Sequence, residues 1–481
     1  MNRQTPFIGR QKELRRLQEC RENRISDLVV ITGRRRIGKT RLAEEFGKSF
    51  ERTFLFTGLP PTKGITAQVQ RDHFAQQLLK QTRLPPPSTK DWNDLFWHTA
   101  YHCAEGDVLL IIDEISWIGM KDPTFLGKLK TAWDQDFKKN SQLVVILTGS
   151  VSSWIEKNIL NSTGFVGRIS LELTLDELPL YRCNEFFGKE HGKISAFEKF
   201  KMLCITGGVP RYLEEIIPSR SSEENIQRLC FESGGLLVKE FERIFSDLFY
   251  KRSTIYKKIV AHLARGSCTR MQLCKGTGIA NSGRFTEYLY DLETAGFISK
   301  DVSWEIKSRE ESKTATYRLK DNYLRFYLKY IEPNLTRIKS NRYKTDPQQW
   351  TGIFGFQFEN LVLNNRNQLL KLLHIDPQRV IWDNPYLQKA SARRRGCQID
   401  YLVQTRDRCL SLCEIKFSGN PISSAIIQEI ENKINALKLP LGFSVRPVLI
   451  HVNGVTPALL AEEYFSEIVD FSQFFEPPVE I

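Results

Sequence analysis

Three short runs in this chain hold residue types suited to phosphate and magnesium chemistry. The first is Gly33-Arg34-Arg35-Arg36-Ile37-Gly38-Lys39-Thr40. Backbone N–H groups of such a glycine loop point inward and wrap an anion, and the positive end of a following helix adds to the attraction. In that arrangement Lys39 reaches the β- and γ-phosphates of ATP, and Thr40 gives its hydroxyl to Mg²⁺. The side chains of Arg34, Arg35 and Arg36 need not face the nucleotide. The second run, Leu109-Leu110-Ile111-Ile112-Asp113-Glu114, is apolar until it ends in two carboxylates. A buried strand does not end on charge without a use for it. Asp113 is the expected Mg²⁺ partner, through water, and Glu114 the residue that polarises the attacking water. The third run is Val144-Val145-Ile146-Leu147-Thr148-Gly149-Ser150. Ligands of α/β sheets sit at the carboxyl ends of strands, where Thr148 or Ser150 would meet the γ-phosphate or the water. An ordinary turn explains either residue taken alone. Arg168, in Gly167-Arg168-Ile169, is a candidate arginine finger, acting in its own subunit or a neighbour's. A surface arginine is the plain alternative.

A second constellation lies near the C-terminus. Glu359 sits on a helix that starts at Gly355, Asp400 on the strand Gln398–Val403, and Glu414 and Lys416 two apart on the strand Leu412–Lys416. Strand side chains alternate, so Glu414 and Lys416 share a face. Carboxylates are hard ligands suited to Mg²⁺, so Asp400 and Glu414 would hold a second divalent metal, with Lys416 orienting a nucleophile and Glu359 outside them. The alternatives are a solvent-facing Glu/Lys pair beside an unrelated Asp, or a fold that survives without catalysis. Arg393-Arg394-Arg395 suits a phosphate backbone, or is an exposed hairpin.

These residues need elements to position them. An amphipathic helix, Lys12–Arg21, precedes an apolar strand, Leu28–Thr32, then the glycine loop, then a helix with Leu42, Phe46 and Phe50 at helical spacing. Strand, glycine loop, helix is the context that a phosphate-binding loop requires. Further strands read at Thr53–Thr57, Val108–Ile112 and Leu143–Leu147, alternating with helices, which implies a parallel sheet covered on both faces. After Ser170 the β pattern is expected to stop. Leu178–Phe249 reads as helices with a break at Gly207-Gly208-Val209-Pro210. Tyr256–Leu263, Arg270–Gly276 and Ser282–Thr294 read as three helices, with strands at Gly296–Ile298 and Ala315–Leu319 around the hairpin Lys307–Lys313. That is a winged-helix pattern, with Ser282–Leu292, bearing Arg284, as its recognition helix. A helix at Tyr323–Ile331, a polar linker at Pro333–Pro347, and a last mixed unit with strands at Gln398–Val403, Cys409–Lys416 and Val448–His451 follow.

Phe7-Ile8-Gly9-Arg10, the GRRRIGKT loop, LLIIDE, LTGS, Gly167-Arg168 and GGVPRYL at Gly207–Leu213 together resemble the archaeal-type ATPases, in the signal-transduction (STAND) branch of the AAA+ class. The resemblance implies that Phe7, Gly9 and Arg10 border the adenine; the acidic residue usual after that arginine is Gln11 here. It places Pro210 against the nucleotide in a helical lid, with Arg211 as a second arginine sensor. Such proteins often carry a winged helix and a domain resembling PD-(D/E)xK nucleases. Asp400, Glu414 and Lys416 match that core, although Gln398 stands where an acid is common. The implied architecture is an α/β P-loop NTPase with a parallel sheet (1–172), a helical lid (173–250), a winged helix (251–320), a connector (321–349) and a C-terminal α/β restriction-nuclease-like domain (350–481).

The 481 residues, 41% of them hydrophobic, allow several folded cores and exclude a disordered chain. No run approaches the roughly 20 apolar residues of a membrane span, and Met1–Arg10 has no signal-peptide core, so a cytoplasmic protein without membrane partners is expected. Ten scattered cysteines lack metal-site spacing and read as reduced thiols. A net charge of +13 favours an anionic partner, DNA above all, or is simply a basic surface. The expected function is Mg²⁺-dependent ATP hydrolysis coupled to a DNA-directed nuclease-like domain. The alternatives are a nucleotide-dependent signalling switch, or a DNA-binding regulator with an inactive nuclease fold. A homo-oligomer is compatible with each.

Overall fold

The computed structural model describes residues 6–478 apart from 24, 63, 87, 151–152, 250–251, 391–394 and 438. The chain forms two compact units. One comprises Met1–Asp176, Arg243–Ser253 and Tyr290–Gly296; the other comprises Glu177–Glu242, Thr254–Leu289 and Phe297–Ile481.

The first unit is built on five parallel strands: β1 (Asp27–Gly33), β2 (Arg52–Thr57), β3 (Val108–Asp113), β4 (Leu143–Ser150) and β5 (Ile169–Leu175). Their order is β2-β3-β4-β1-β5. The strands β1, β3 and β4 are buried along their whole length, which is why they read as unbroken apolar runs. Side chains alternate between two cores. Leu28 and Val30 join Phe56, Trp92, Phe96 and Phe125 on one face; Val29 and Ile31 join Leu17, Leu42 and Phe46 on the other.

Contrary to the sequence expectation, the β pattern does not stop at Ser170. Ile169–Leu175 is the edge strand beside β1. Leu171, Leu173 and Leu175 face inward while Ser170, Glu172 and Thr174 are exposed, so the strand has period two rather than the continuous apolar signature of its neighbours.

In the stretch read as a winged helix, helices Ser253–Leu263, Arg270–Thr277 and Gly283–Thr294 accompany an antiparallel sheet ordered β6-β8-β7, with β6 at Cys268–Thr269, β7 at Ile298–Trp304 and β8 at Glu311–Leu319. The last part of the chain forms a second five-stranded sheet, ordered β13-β12-β11-β10-β9. Here β9 is Val380–Gln388, β10 Cys397–Thr405, β11 Cys409–Lys416, β12 Ser444–His451 and β13 Glu467–Asp470. β9, β10 and β11 pair antiparallel; β11, β12 and β13 pair parallel. β9 and β13 escape sequence reading because edge strands tolerate breakers and polar residues, here Asp383-Asn384-Pro385 within β9. The helix Ala425–Ala436 lays Ile426 and Ile430 on a core with Leu402, Leu412 and Leu449.

The second unit shares its cores across the expected domain boundaries. Trp304, at the end of β7, stacks on Trp382 of β9 at 5.7 Å, and the Ser303 hydroxyl accepts the Leu387 N–H at 2.9 Å. The wing thus covers the free edge of β9, where exposed backbone groups would otherwise invite further pairing. Phe200, on the helix Ala196–Thr206, sits among Phe354, Phe358, Phe417 and Phe471. The expected Pro333–Pro347 linker contains a short helix, Leu335–Lys339, which buries Ile338 while most of the stretch is exposed.

Candidate active site

In the first unit the three sequence runs converge at the carboxyl ends of β1, β4 and β3. β4 lies between the other two strands, with Gly33 in register with Ser150. The loop after β1 turns on two glycines. Gly33 has φ 153°, and a Cβ there would fall 2.7 Å from the Leu175 carbonyl oxygen, so only glycine fits. Gly38 has φ 92° and starts the helix Lys39–Gly47. Lys39 is buried, and its ammonium donates to the carbonyls of Gly33 at 3.0 Å and Arg34 at 3.2 Å. Burial holds its pKa below the usual lysine range, against the pull of Glu114 and Asp113.

Asp113 ends β3, buried. Thr40 Oγ1 lies 3.1 Å from both of its carboxylate oxygens, and the fully buried Thr148 donates its hydroxyl to Oδ1. Glu114 takes the left-handed conformation, φ 52°, which is costly for a side-chain-bearing residue. That turn carries its carboxylate to Ser150, whose N–H donates at 3.3 Å and whose hydroxyl donates at 3.4 Å. Lys39, Thr40, Asp113, Glu114, Thr148 and Ser150 therefore form one constellation. A hydroxyl and a carboxylate this close are hard oxygen donors that fit Mg²⁺.

Arg10, also left-handed at φ 66° and buried, braces the loop. Its guanidinium donates to the Ile37 carbonyl at 3.3 Å and to the Asp176 carbonyl at 2.5 Å, and pairs with Glu13 at 3.1 Å. Arg168 does not join the constellation. Ile169 pairs with Leu28 and Leu175 with Gly33, which puts Arg168 at the opposite end of the sheet, about 17 Å from the loop at ~3.3 Å per residue. It forms a forked pair with Asp134, both contacts at 2.8 Å, which holds the Asp134 carboxyl well below its usual range. Within one chain it does not face the phosphates.

Pro210 and Arg211 belong to the second unit. Gly207 and Gly208 end the helix Ala196–Thr206, and Pro210 opens the next turn, where a missing N–H costs nothing. A Cβ on Gly208 would meet the Leu178 carbonyl at 2.2 Å, and its N–H donates to Glu177 at 3.0 Å. Arg211 is held by Glu214 at 3.3 Å and Glu215 at 2.7 Å.

The C-terminal constellation is also assembled. Tyr401 pairs with Cys413, which sets Asp400 opposite Glu414 on one face of adjacent strands. Asp400 accepts the Ile415 N–H at 2.9 Å. Desolvation, then the charge of Glu414, push its pKa up to about 7, against Lys433. Glu359, on the helix Thr351–Leu363, is also raised by desolvation, with Arg318 and Arg325 opposing and Asp301 and Glu414 adding. Two carboxylates that repel each other fit a divalent cation, which would relieve the repulsion. Among the described residues no group of three or more His, Cys, Asp or Glu converges to complete a protein-only cage.

Lys416 pairs with Glu429 at 2.8 Å at a half-exposed position. Lys433, which sequence reading missed, donates to Glu414 instead. Its only sequence signal is the four-residue spacing from Glu429 on one helix face, which does not reveal a strand partner. Arg393 and Arg394 lie outside the described residues, and Arg395 is exposed. Arg284 is exposed too, but its helix also bears Glu287, Asp291 and Glu293 and is net acidic, which does not favour a duplex.

Residues 7–216 match the ATPase domain described as predominantly from Archaea. This part of the chain is an ATPase domain. The uncharacterized protein MJECL04 of Methanocaldococcus jannaschii is 28% identical over 380 residues, covering 76% of this chain and 79% of its own. The Walker-type ATPase PABY2304 of Pyrococcus abyssi superposes with a TM-score of 0.52 at 20% identity, over 68% of this chain and 97% of its own, a likeness of fold. The chain is thus an α/β P-loop ATPase that binds nucleotide, with a further C-terminal sheet. No helix among the described residues is long and apolar enough to cross a membrane.

Proposed function

We propose that this ATPase hydrolyses ATP with Mg²⁺ and couples turnover to a DNA-directed step at Asp400 and Glu414. Thr40 and Asp113 would hold the Mg²⁺, which when bound neutralises charge on the β- and γ-phosphate oxygens. Lys39 would leave the loop carbonyls for the phosphates. Glu114, aimed by its left-handed turn and tied to Ser150, would orient the attacking water and receive its proton. Within the second unit, the helix Ala196–Thr206 that precedes Pro210 shares an aromatic core with the C-terminal sheet through Phe200 and Phe417. If Arg168 serves as a finger, it serves a neighbouring copy. Arg168→Ala would then lower turnover only at concentrations where the chain self-associates, and an equal loss at high dilution would remove that role. The expected setting is the cytoplasm.

The observation that carries the DNA-directed half is the Asp400–Glu414 pair itself. Setting two carboxylates face to face costs stability, and a phosphodiester site gives that cost a use. The +13 charge suits the same substrate. A switch without nuclease activity is favoured by one other fact: the wing is engaged on β9. Supercoiled plasmid incubated with ATP and Mg²⁺ or Mn²⁺ separates the two. Nicking by the wild type that Asp400→Asn and Glu414→Gln both lose supports the nuclease. Equal DNA loss from all three, or none from the wild type, leaves the switch. Lys39→Ala should abolish ATP turnover in either case.

A further inference from the structure

Two lysines lie near the acidic pair, and the sequence pattern points to the wrong one. Lys416 is two residues from Glu414 on the same strand, yet its ammonium is drawn to Glu429, at the half-exposed rim of the helix Ala425–Ala436. Lys433 stands one turn further along that helix. It reaches down to Glu414, whose side chain is only 7% exposed, while its own remains 24% exposed. The helix is pinned over the sheet by Ile426 and Ile430, so Lys433 is held above the pair by packing rather than by chance rotation. Charged and titratable groups facing the pair come from four elements: Glu359 from the helix Thr351–Leu363, Lys433 from the helix Ala425–Ala436, and, behind Glu359, Arg318 from β8 and Arg325 from the helix Asn322–Phe326. Lys433 is the ammonium directly bonded to Glu414.

We propose that Lys433, not Lys416, is the working ammonium of the C-terminal site: it neutralises Glu414 until a divalent cation takes that carboxylate, and is then released toward the phosphodiester anion. The inference rests on the reading of Asp400 and Glu414 as a cation and phosphodiester site. A divalent cation and the ammonium are drawn to the same Oε2 and repel each other, so cation binding and ammonium release are linked by competition for that oxygen. Lys416 keeps its bond to Glu429 throughout and anchors the helix.

The competition gives a readout that does not depend on DNA cleavage. Mn²⁺ alone is titrated into the full chain and bound ion is counted by electron paramagnetic resonance. The binding event lost in Glu414→Gln defines the C-terminal site. Lys433→Gln should bind Mn²⁺ there roughly tenfold more tightly, the order expected when one close opposite charge stops competing for a part-buried carboxylate. Lys433→Arg should stay near the wild type, because it keeps the charge, and Lys416→Gln should leave the affinity unchanged. A merely structural lysine would give the opposite sign, since loosening the helix weakens the site. Equal affinity in Lys433→Gln and wild type, or an equal gain in Lys416→Gln, overturns the proposal. If the Lys433 pattern holds but no variant or wild type nicks plasmid, the nuclease reading fails while the assignment of Lys433 to the cation site stands.

Discussion

Thr148 offers the sharpest test of how the nucleotide site is built. It is fully buried and donates its hydroxyl to Asp113, which also receives Thr40 at 3.1 Å. Thr148→Val keeps the shape and removes the donor. A hydrogen bond to a charged group contributes about 1.5–3 kcal/mol, and Asp113 has little solvent to replace it. The carboxylate is then left with Thr40 alone and is free to rotate away from the position in which both serve one cation. At about 1.4 kcal/mol per tenfold, the lost orientation should lower Mg²⁺-dependent turnover about ten- to a hundredfold. Nucleotide binding without Mg²⁺ should not change, because Lys39 and the loop N–H groups are untouched. The assay is steady-state ATP hydrolysis across a Mg²⁺ titration, beside fluorescent-nucleotide binding in chelator. Thr148→Ser, which retains the hydroxyl, is the control. Wild-type turnover with an unchanged Mg²⁺ dependence in Thr148→Val would refute the reasoning. So would an equal loss of Mg²⁺-free binding, since Thr148 would then support the loop and not Asp113.

Gly33→Ala should abolish nucleotide binding, since its methyl would meet the Leu175 carbonyl at 2.7 Å, whereas Gly38→Ala, with open space around it but φ 92°, should retain folding at a cost of about 1–2 kcal/mol; equilibrium unfolding and nucleotide titration distinguish the two. Asp122 accepts from Arg71 at 2.7 Å, the Trp92 indole at 3.1 Å and Thr124 at 2.7 and 3.0 Å; burial raises its pKa, but the Thr124 donors and Arg71 more than offset this and hold it low. Its contribution is therefore present above the unfolded value of about 3.9 and is lost as pH falls through the lower folded value. Asp122→Asn should cost about 3 kcal/mol at neutral pH and flatten the acid limb of the unfolding midpoint. Trp304→Ala opens the seal on β9 and should cost the second unit about 3–5 kcal/mol, seen as earlier proteolysis of the C-terminal sheet, while nucleotide binding persists; an unchanged proteolytic pattern would mean that the wing is not what covers that edge.

Much of the nucleotide site was legible because its chemistry is local. A glycine loop, a helix start and strands ending on Asp113 and Ser150 each lie within a few residues, and buried parallel strands announce themselves as continuous apolar runs. Position along the chain could not give proximity. β4 lies between β1 and β3 by tertiary pairing, and that insertion is what hands Asp113 to Thr148 and Glu114 to Ser150. Arg168 looks like a finger in sequence because it follows a glycine at the right place in a motif series. The parallel register of β5 sends it to the far end of the sheet and onto Asp134.

The C-terminal site divides the same way. Alternation along β11 predicts that Glu414 and Lys416 share a face, and the fold obeys it. Which lysine reaches which carboxylate depends on where the helix Ala425–Ala436 crosses the sheet, and long-range packing of Ile426 and Ile430 decides that. The sequence by itself thus determined the chemical inventory and the local turns that hold it: the loop, the strand ends, the carboxylates. Only the tertiary structure decided the pairings, because strand order, register and helix placement are set by burial of surfaces far apart in the chain, and an ion pair such as Lys433–Glu414 forms only after those surfaces have closed.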